Sequence, residues 1–256
     1  MNPQPRTRNL ESGAHWLPPC PALIRAVNGA LRGAYGAPPP QTRGDPLDGL
    51  IGTVLSQTTT STNSRAAFNA LKRRFPTWRE CLKAPTEAVV EAIRSAGLGR
   101  IRGPRIQAIL AQVQHDQAAL SLDMLHDLPP SRAMAYLQSL PGVGPKTAAC
   151  VLLFSCRKQV FPVDTHVARI TRRLGWAAEE ASPNAIQALL EPLVPPGIRY
   201  ALHVNLIAHG RGRCHAGKPE CRECPILRHC PAGQGGGGAP RAATGWRGGR
   251  ASSAGR

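Results

Sequence analysis

Three groups of residues have types and spacings that could do chemistry. Lys146 follows L-P-G-V-G-P at the start of an apolar run, PKTAACVLLF. In the first turn of a buried helix, the positive end of the helix dipole and partial burial both disfavour an ammonium. A lysine held partly neutral is a nucleophile able to form a Schiff base. A surface lysine touching a phosphate would satisfy the same position equally well. Asp164 comes eighteen residues later, directly before a helical pattern of Val167, Ile170 and Leu174 that Gly175 ends. It reads as an N-cap, and a capped carboxylate is rigidly aimed while keeping lone pairs free. The interval allows one helix and a return loop, so the carboxylate can face the amine across a cleft. The third group is Cys214, Cys221, Cys224 and Cys230, spaced C-x6-C-x2-C-x5-C. Four thiolates this close can converge on one metal centre, and the spacing leaves zinc and an iron–sulfur cluster both open.

The elements that must position these groups are helical. Leu47, Leu50, Ile51, Val54 and Leu55 fall at helical spacing, as do Val89, Val90 and Ile93, and Ile106, Ile109, Leu110 and Val113. Breaks fall at Pro76, Pro85, residues 97–103, Pro129–Pro130, residues 141–145 and residues 192–196. The only ambiguous strand, QVFPVD, contains Pro162, which argues against a central strand. These signals predict an all-α protein of about ten short helices. Around Lys146 they predict a helix-hairpin-helix: one helix ends at Leu140, Gly142 and Gly144 permit unusual backbone angles, and Pro145 starts the next. Free N–H groups in such a turn form a phosphate site.

The formal net charge is +17, and residues 20–231, with 26 Lys and Arg against 14 Asp and Glu, keep +12 of it. That balance favours a polyanionic partner. The chain opens MNPQPRTRNLESG without an apolar leader, and no apolar run is long enough for a membrane span. A cytoplasmic, soluble protein without paired disulfides is expected, with Cys20, Cys81, Cys150 and Cys156 as plain core residues. Residues 1–19 and 232–256 are Gly-, Pro-, Ser- and Arg-rich and read as disordered tails.

LPGVGPKTA followed by VDTHVAR, with the cysteine spacing and the preceding RYALHVNLIAHGRGRC, resembles the endonuclease III family of helix-hairpin-helix DNA glycosylases. The resemblance covers residues 22–231. It implies two helical domains with a cleft between them: a six-helix barrel, residues 47–157, with the hairpin at 132–156, and a cluster domain built from residues 20–46 and 158–231. It implies a bifunctional glycosylase and AP lyase in which Lys146 attacks the sugar of a flipped nucleotide and Asp164 assists. The substrate would be duplex DNA with a damaged base or abasic site, bound by a monomer at the nucleoid. Monofunctional mismatch glycosylases resemble the chain but lack this lysine; a non-catalytic DNA-binding module with a zinc knot is the other alternative. The four cysteines would hold a structural 4Fe-4S cluster, its loop presenting His215 and Lys218 to phosphates. Gly142 and Gly144 would bind phosphate at the hairpin, and His166 would face the cleft. Leu98 matches the family's wedge in the duplex, and Arg100, Arg102 and Arg105 around it suit phosphate contacts. LSQTTTS departs from the family's L-S-A-Q-A-T-D, leaving Gln57 and Thr58 as rival gap-fillers.

Overall fold

The computed structural model describes residues 16–235, and among these there are eleven α-helices and no strand. In chain order they are α1 (Pro21–Tyr35), α2 (Pro46–Ser56), α3 (Ser61–Arg74), α4 (Trp78–Lys83), α5 (Thr86–Ala92) and α6 (Gly99–Gln117). They continue with α7 (Pro130–Ser139), α8 (Pro145–Phe154), α9 (Thr165–Arg173), α10 (Pro183–Leu190) and α11 (Arg199–Gly212). Short polar side chains start many of them. Asp45, Thr60, Thr77 and Ser182 each accept a backbone N–H in the first turn of α2, α3, α4 and α10, a contact worth about 1 kcal/mol at each site. Segment QVFPVD forms no strand: Gln159 is at a bend and residues 160–164 have no regular structure.

The apolar faces gather into two cores. The first joins Leu50, Ile51 and Leu55 of α2 to Ile106 and Leu110 of α6 and to Ala148, Val151 and Leu152 of α8. The second joins Ile24, Val27 and Leu31 of α1 to Val167 and Ile170 of α9, Trp176, and Leu202 and Leu206 of α11. The chain therefore begins in the second core, builds the first from residues 47 to 160, and returns at Phe161. Lys146 rides on the first core and Asp164 on the second. No described helix is long and apolar enough to cross a membrane.

Three expectations change. Cys20 is exposed at the start of α1, while Cys81, Cys150 and Cys156 are buried; no cysteine is in a disulfide. Residues 16–19 are ordered enough to pair, Leu17 N–H donating to the Gly175 carbonyl at 3.0 Å. At the other end, Pro231–Gln234 forms a 3-10 turn tied by Gln234 Nε2 to the Leu227 carbonyl at 2.8 Å. The remainder of both expected tails, residues 1–15 and 236–256, lies outside the described residues.

Candidate active site

The hairpin is built by local backbone bonds. α7 ends with Leu140 N–H on Leu137, and Val143 N–H returns to the Leu140 carbonyl at 3.1 Å. Gly142 takes the left-handed conformation, φ +71°, and a Cβ there would lie 2.5 Å from Nε of Arg105. Glycine is needed there both for the turn and for the guanidinium packed on it. Gly144 differs from expectation: its φ of −89° and ψ of 176° are ordinary extended values. Pro145 then starts α8, whose residues from Thr147 to Leu153 are all buried, leaving Lys146 half-buried in its first turn.

Asp164 caps α9, its Oδ1 accepting from Val167 N–H at 2.8 Å. Among the described residues Oδ2 makes no hydrogen bond, so one oxygen is left for other work. The three residues before it are each tied down. Phe161 N–H donates to Glu191, Val163 N–H to Gln187 Oε1 at 3.1 Å, and the Pro162 carbonyl accepts from His203 Nδ1 at 2.9 Å. The Gln187 amide has a second partner, donating to the Pro145 carbonyl at 3.3 Å. One buried side chain therefore ties the backbone before Asp164 to the backbone before Lys146. The two groups also share buried neighbours. Burial pushes the Cys150 thiol up, opposed by Lys146 and reinforced by Asp164. Burial lowers His203 to about 4, an effect that Asp164 opposes and Lys146 adds to. Neutral His203 is packed edge-on against Phe154 and Phe161. Sequence reasoning passed over Gln187 and His203; both lie on helical apolar patterns where a polar residue was the available signal.

Two loops carry the other expected contacts. Gln57, half-buried, donates to the Thr147 hydroxyl at 3.2 Å, while Thr58 is exposed with φ +54°. Leu98 has φ +51° and is 55% exposed, so it is no core residue, and Ile101 beside it is 56% exposed. Arg100 is exposed and Arg105 half-buried over the hairpin. Arg102 departs from the phosphate-facing expectation. It is 2% exposed, and its guanidinium is consumed by backbone carbonyls.

The four cysteines rim one cavity of about 60 Å3. Among the described residues no three His, Cys, Asp or Glu side chains close on a single point as a lone ion requires. Two arginines one turn apart on α9 hold this loop, an attachment with no mark in the sequence. Arg169 donates to the Cys214 and Gly210 carbonyls, and Arg173 to Cys214 Sγ at 3.1 Å and the His215 carbonyl at 2.7 Å. His209, fully buried, stands 2.8 Å from the Tyr35 hydroxyl and 3.6 Å from Cys224 Sγ. Burial, with Arg213 and Arg169 adding to it, lowers His209 to about 4. Lys218 is exposed; His215 is half-buried with Nε2 3.7 Å from Glu220. His166 packs on Gly210, where a Cβ would lie 2.8 Å from its ring, and its Nδ1 accepts from Arg169 at 3.0 Å.

Lys146 thus sits in the first turn after the hairpin, on the first core, and Asp164 caps a helix of the second, with Gln187 tying the two backbones together. Residues 51–196 match the family of HhH-GPD superfamily base excision DNA repair proteins, and the chain belongs to it. It is 36% identical over 190 residues to a provisionally named DNA glycosylase of Arabidopsis thaliana, covering 71% of this chain and 65% of that protein. It is 33% identical over 186 residues to endonuclease III of Thermotoga maritima, covering 73% and 83%. The fold superposes on a trapped endonuclease III–DNA covalent intermediate with a TM-score of 0.71 at 28% identity, over 84% of this chain and 97% of that one. The chain thus spans just under two thirds of the first of these relatives, 65% of its length.

Proposed function

We propose that this protein is a bifunctional DNA glycosylase and AP lyase of base excision repair, acting on damaged, oxidised pyrimidines in duplex DNA. The observation that carries the reading is the tie Gln187 makes between the Pro145 carbonyl, just before Lys146, and the Val163 N–H, just before Asp164. The basic surface binds phosphates, and the damaged nucleotide is extruded at a cost of a few kcal/mol of stacking. The Lys146 amine attacks the sugar's anomeric carbon; a C–N bond forms, the glycosidic bond breaks and the base leaves with its electron pair. Asp164, rigid at its cap, supports the positive charge that develops on the sugar. The nitrogen gives up a proton and the sugar ring opens, the C1′–O4′ bond breaking as O4′ takes up a proton, which leaves a protonated imine; loss of a proton from C2′ then expels the 3′ phosphate, and the strand is nicked.

Cys214, Cys221, Cys224 and Cys230 would hold a 4Fe-4S cluster, whose contribution is to brace the last loop. The donor set fits. All four thiols line one cavity, and four thiolates are the donors such a cluster would need, one for each iron. Kinship with endonuclease III of Thermotoga maritima, and the superposition on an endonuclease III trapped covalently on DNA, support the lyase reading.

The test is a panel of duplexes, each with one defined lesion or an abasic site, treated with the protein and borohydride. Base release with a covalent protein–DNA product is expected for oxidised pyrimidines. Base release without any covalent product would mean a monofunctional glycosylase, and neither outcome a binding module.

A further inference from the structure

Arg102 carries a charge that has been taken out of water without a counter-ion. Its side chain lies in the first turn of α6 with 2% of its surface exposed, and among the described residues no carboxylate pairs with it. Nη1 donates to the carbonyls of Ala96 and Gly97 at 2.6 and 2.8 Å, and Nη2 donates to the carbonyl of Gln57. Burying an uncompensated guanidinium is costly, so the three carbonyls must be worth fixing.

Two of these carbonyls have particular places in the chain. The Gln57 carbonyl belongs to the peptide that leads into Thr58, and the Gly97 carbonyl to the peptide that leads into Leu98. Thr58 and Leu98, with φ of +54° and +51°, are two of the four described non-glycine residues in the left-handed region. A side chain with a Cβ pays roughly 1 kcal/mol or more to sit there, and holds the position only where its surroundings over-determine it. Arg102 supplies that determination to both loops at once, across 45 residues of sequence. Both strained residues are exposed, and the side chain of Gln57, beside Thr58, reaches Thr147, the neighbour of Lys146. One helical turn on, Arg105 packs on Gly142, so α6 also touches the hairpin.

We propose that Arg102 is a positioning residue that locks the Gln57–Thr58 loop and the Leu98 loop into one rigid unit, which enters the duplex and holds the damaged nucleotide out. The proposal rests on the glycosylase reading above. The residue does not touch substrate. Its effect is confined to steps in which paired, stacked DNA must be opened.

The experiment compares Arg102→Met and Arg102→Lys with the wild type on two substrates. One is a duplex with an oxidised pyrimidine beside 2-aminopurine, whose fluorescence reports unstacking. The other is a single-stranded oligonucleotide with an abasic site, which needs no opening. Both variants should slow duplex base release and lower the fluorescence rise by roughly tenfold to a hundredfold. Arg102→Lys, which keeps the buried cation but cannot reach both loops, should lose less. Borohydride trapping on the single strand should stay within about twofold of wild type, because Lys146 is untouched. Wild-type fluorescence and duplex rates in both variants would overturn the proposal, and so would an equal loss on both substrates in Arg102→Lys. Should the wild type trap no imine on either substrate, the lyase reading fails, and the fluorescence comparison still decides the role of Arg102.

Discussion

Gln57 donates its side-chain amide to the hydroxyl of Thr147 at 3.2 Å, which fastens the end of α2 to the helix that carries Lys146. Thr58, the next residue, makes the exposed left-handed tip. The two rivals for the gap left by a flipped base are therefore not equivalent. Gln57→Ala should slow duplex base release by roughly tenfold, since it loosens the loop from the nucleophile's helix. Thr58→Gly should raise stability by about 0.5 to 1 kcal/mol, because glycine accepts a positive φ without strain. Thermal melts and single-turnover rates of the two variants check this; a destabilised Thr58→Gly would mean that its hydroxyl does more than the geometry assigns to it.

The Gln187 amide accepts from Val163 and donates to Pro145, spanning the two halves of the site. Gln187→Glu keeps the acceptor and loses the donor. It should leave the fold intact and reduce the rate constant for base release by roughly tenfold, with duplex affinity unchanged. Equal losses in affinity and rate would instead point to a general collapse of the cleft.

His203 predicts an acid limb. Its folded value is lowered to about 4 from 6.5, so between those two pH values the unfolded chain binds a proton that the folded chain refuses. Stability contributed by the neutral ring is therefore complete above pH 6.5, falls as pH drops through the window, and is exhausted below 4. The shift corresponds to something on the order of 3 kcal/mol. Denaturant midpoints measured across the window should fall with acidification, and less steeply in His203→Gln. Identical slopes would remove His203 from the account.

The cluster loop is predicted to depend on its ligands for folding. Cys221→Ser should lose the brown colour and visible absorbance and go largely insoluble, since metal-binding energy in such a loop is folding energy. Stoichiometric zinc in freshly purified protein, without iron or sulfide, would contradict the four-iron assignment.

What could be read from the residues in order was what depends on near neighbours. The hairpin turn, Pro145 at the head of α8 and Asp164 at the cap of α9 are all decided within a few residues along the chain. The bridging roles of Gln187 and Arg102 were not legible, because the contacts that make them bridges, to Pro145 and Gln57, span 42 and 45 residues and only the fold brings them together. Arg102 was misread for a physical reason: arginines are ordinarily at the surface, and nothing local marks one whose guanidinium turns inward to carbonyls. Gly144 was overread. Its backbone is ordinary, so only Gly142 of that pair uses the freedom glycine provides.

The central claim is that Lys146 is the nucleophile, and borohydride trapping tests it most directly. With a duplex containing an oxidised pyrimidine, the wild type should yield a covalent protein–DNA product. Lys146→Gln should yield none and release no base, while still binding the duplex. Asp164→Asn, which caps α9 about as well, should fold normally and give the same product far more slowly. A Lys146→Gln protein that still released base at more than a few per cent of the wild-type rate, or still formed the covalent product, would show that the reaction runs through another residue.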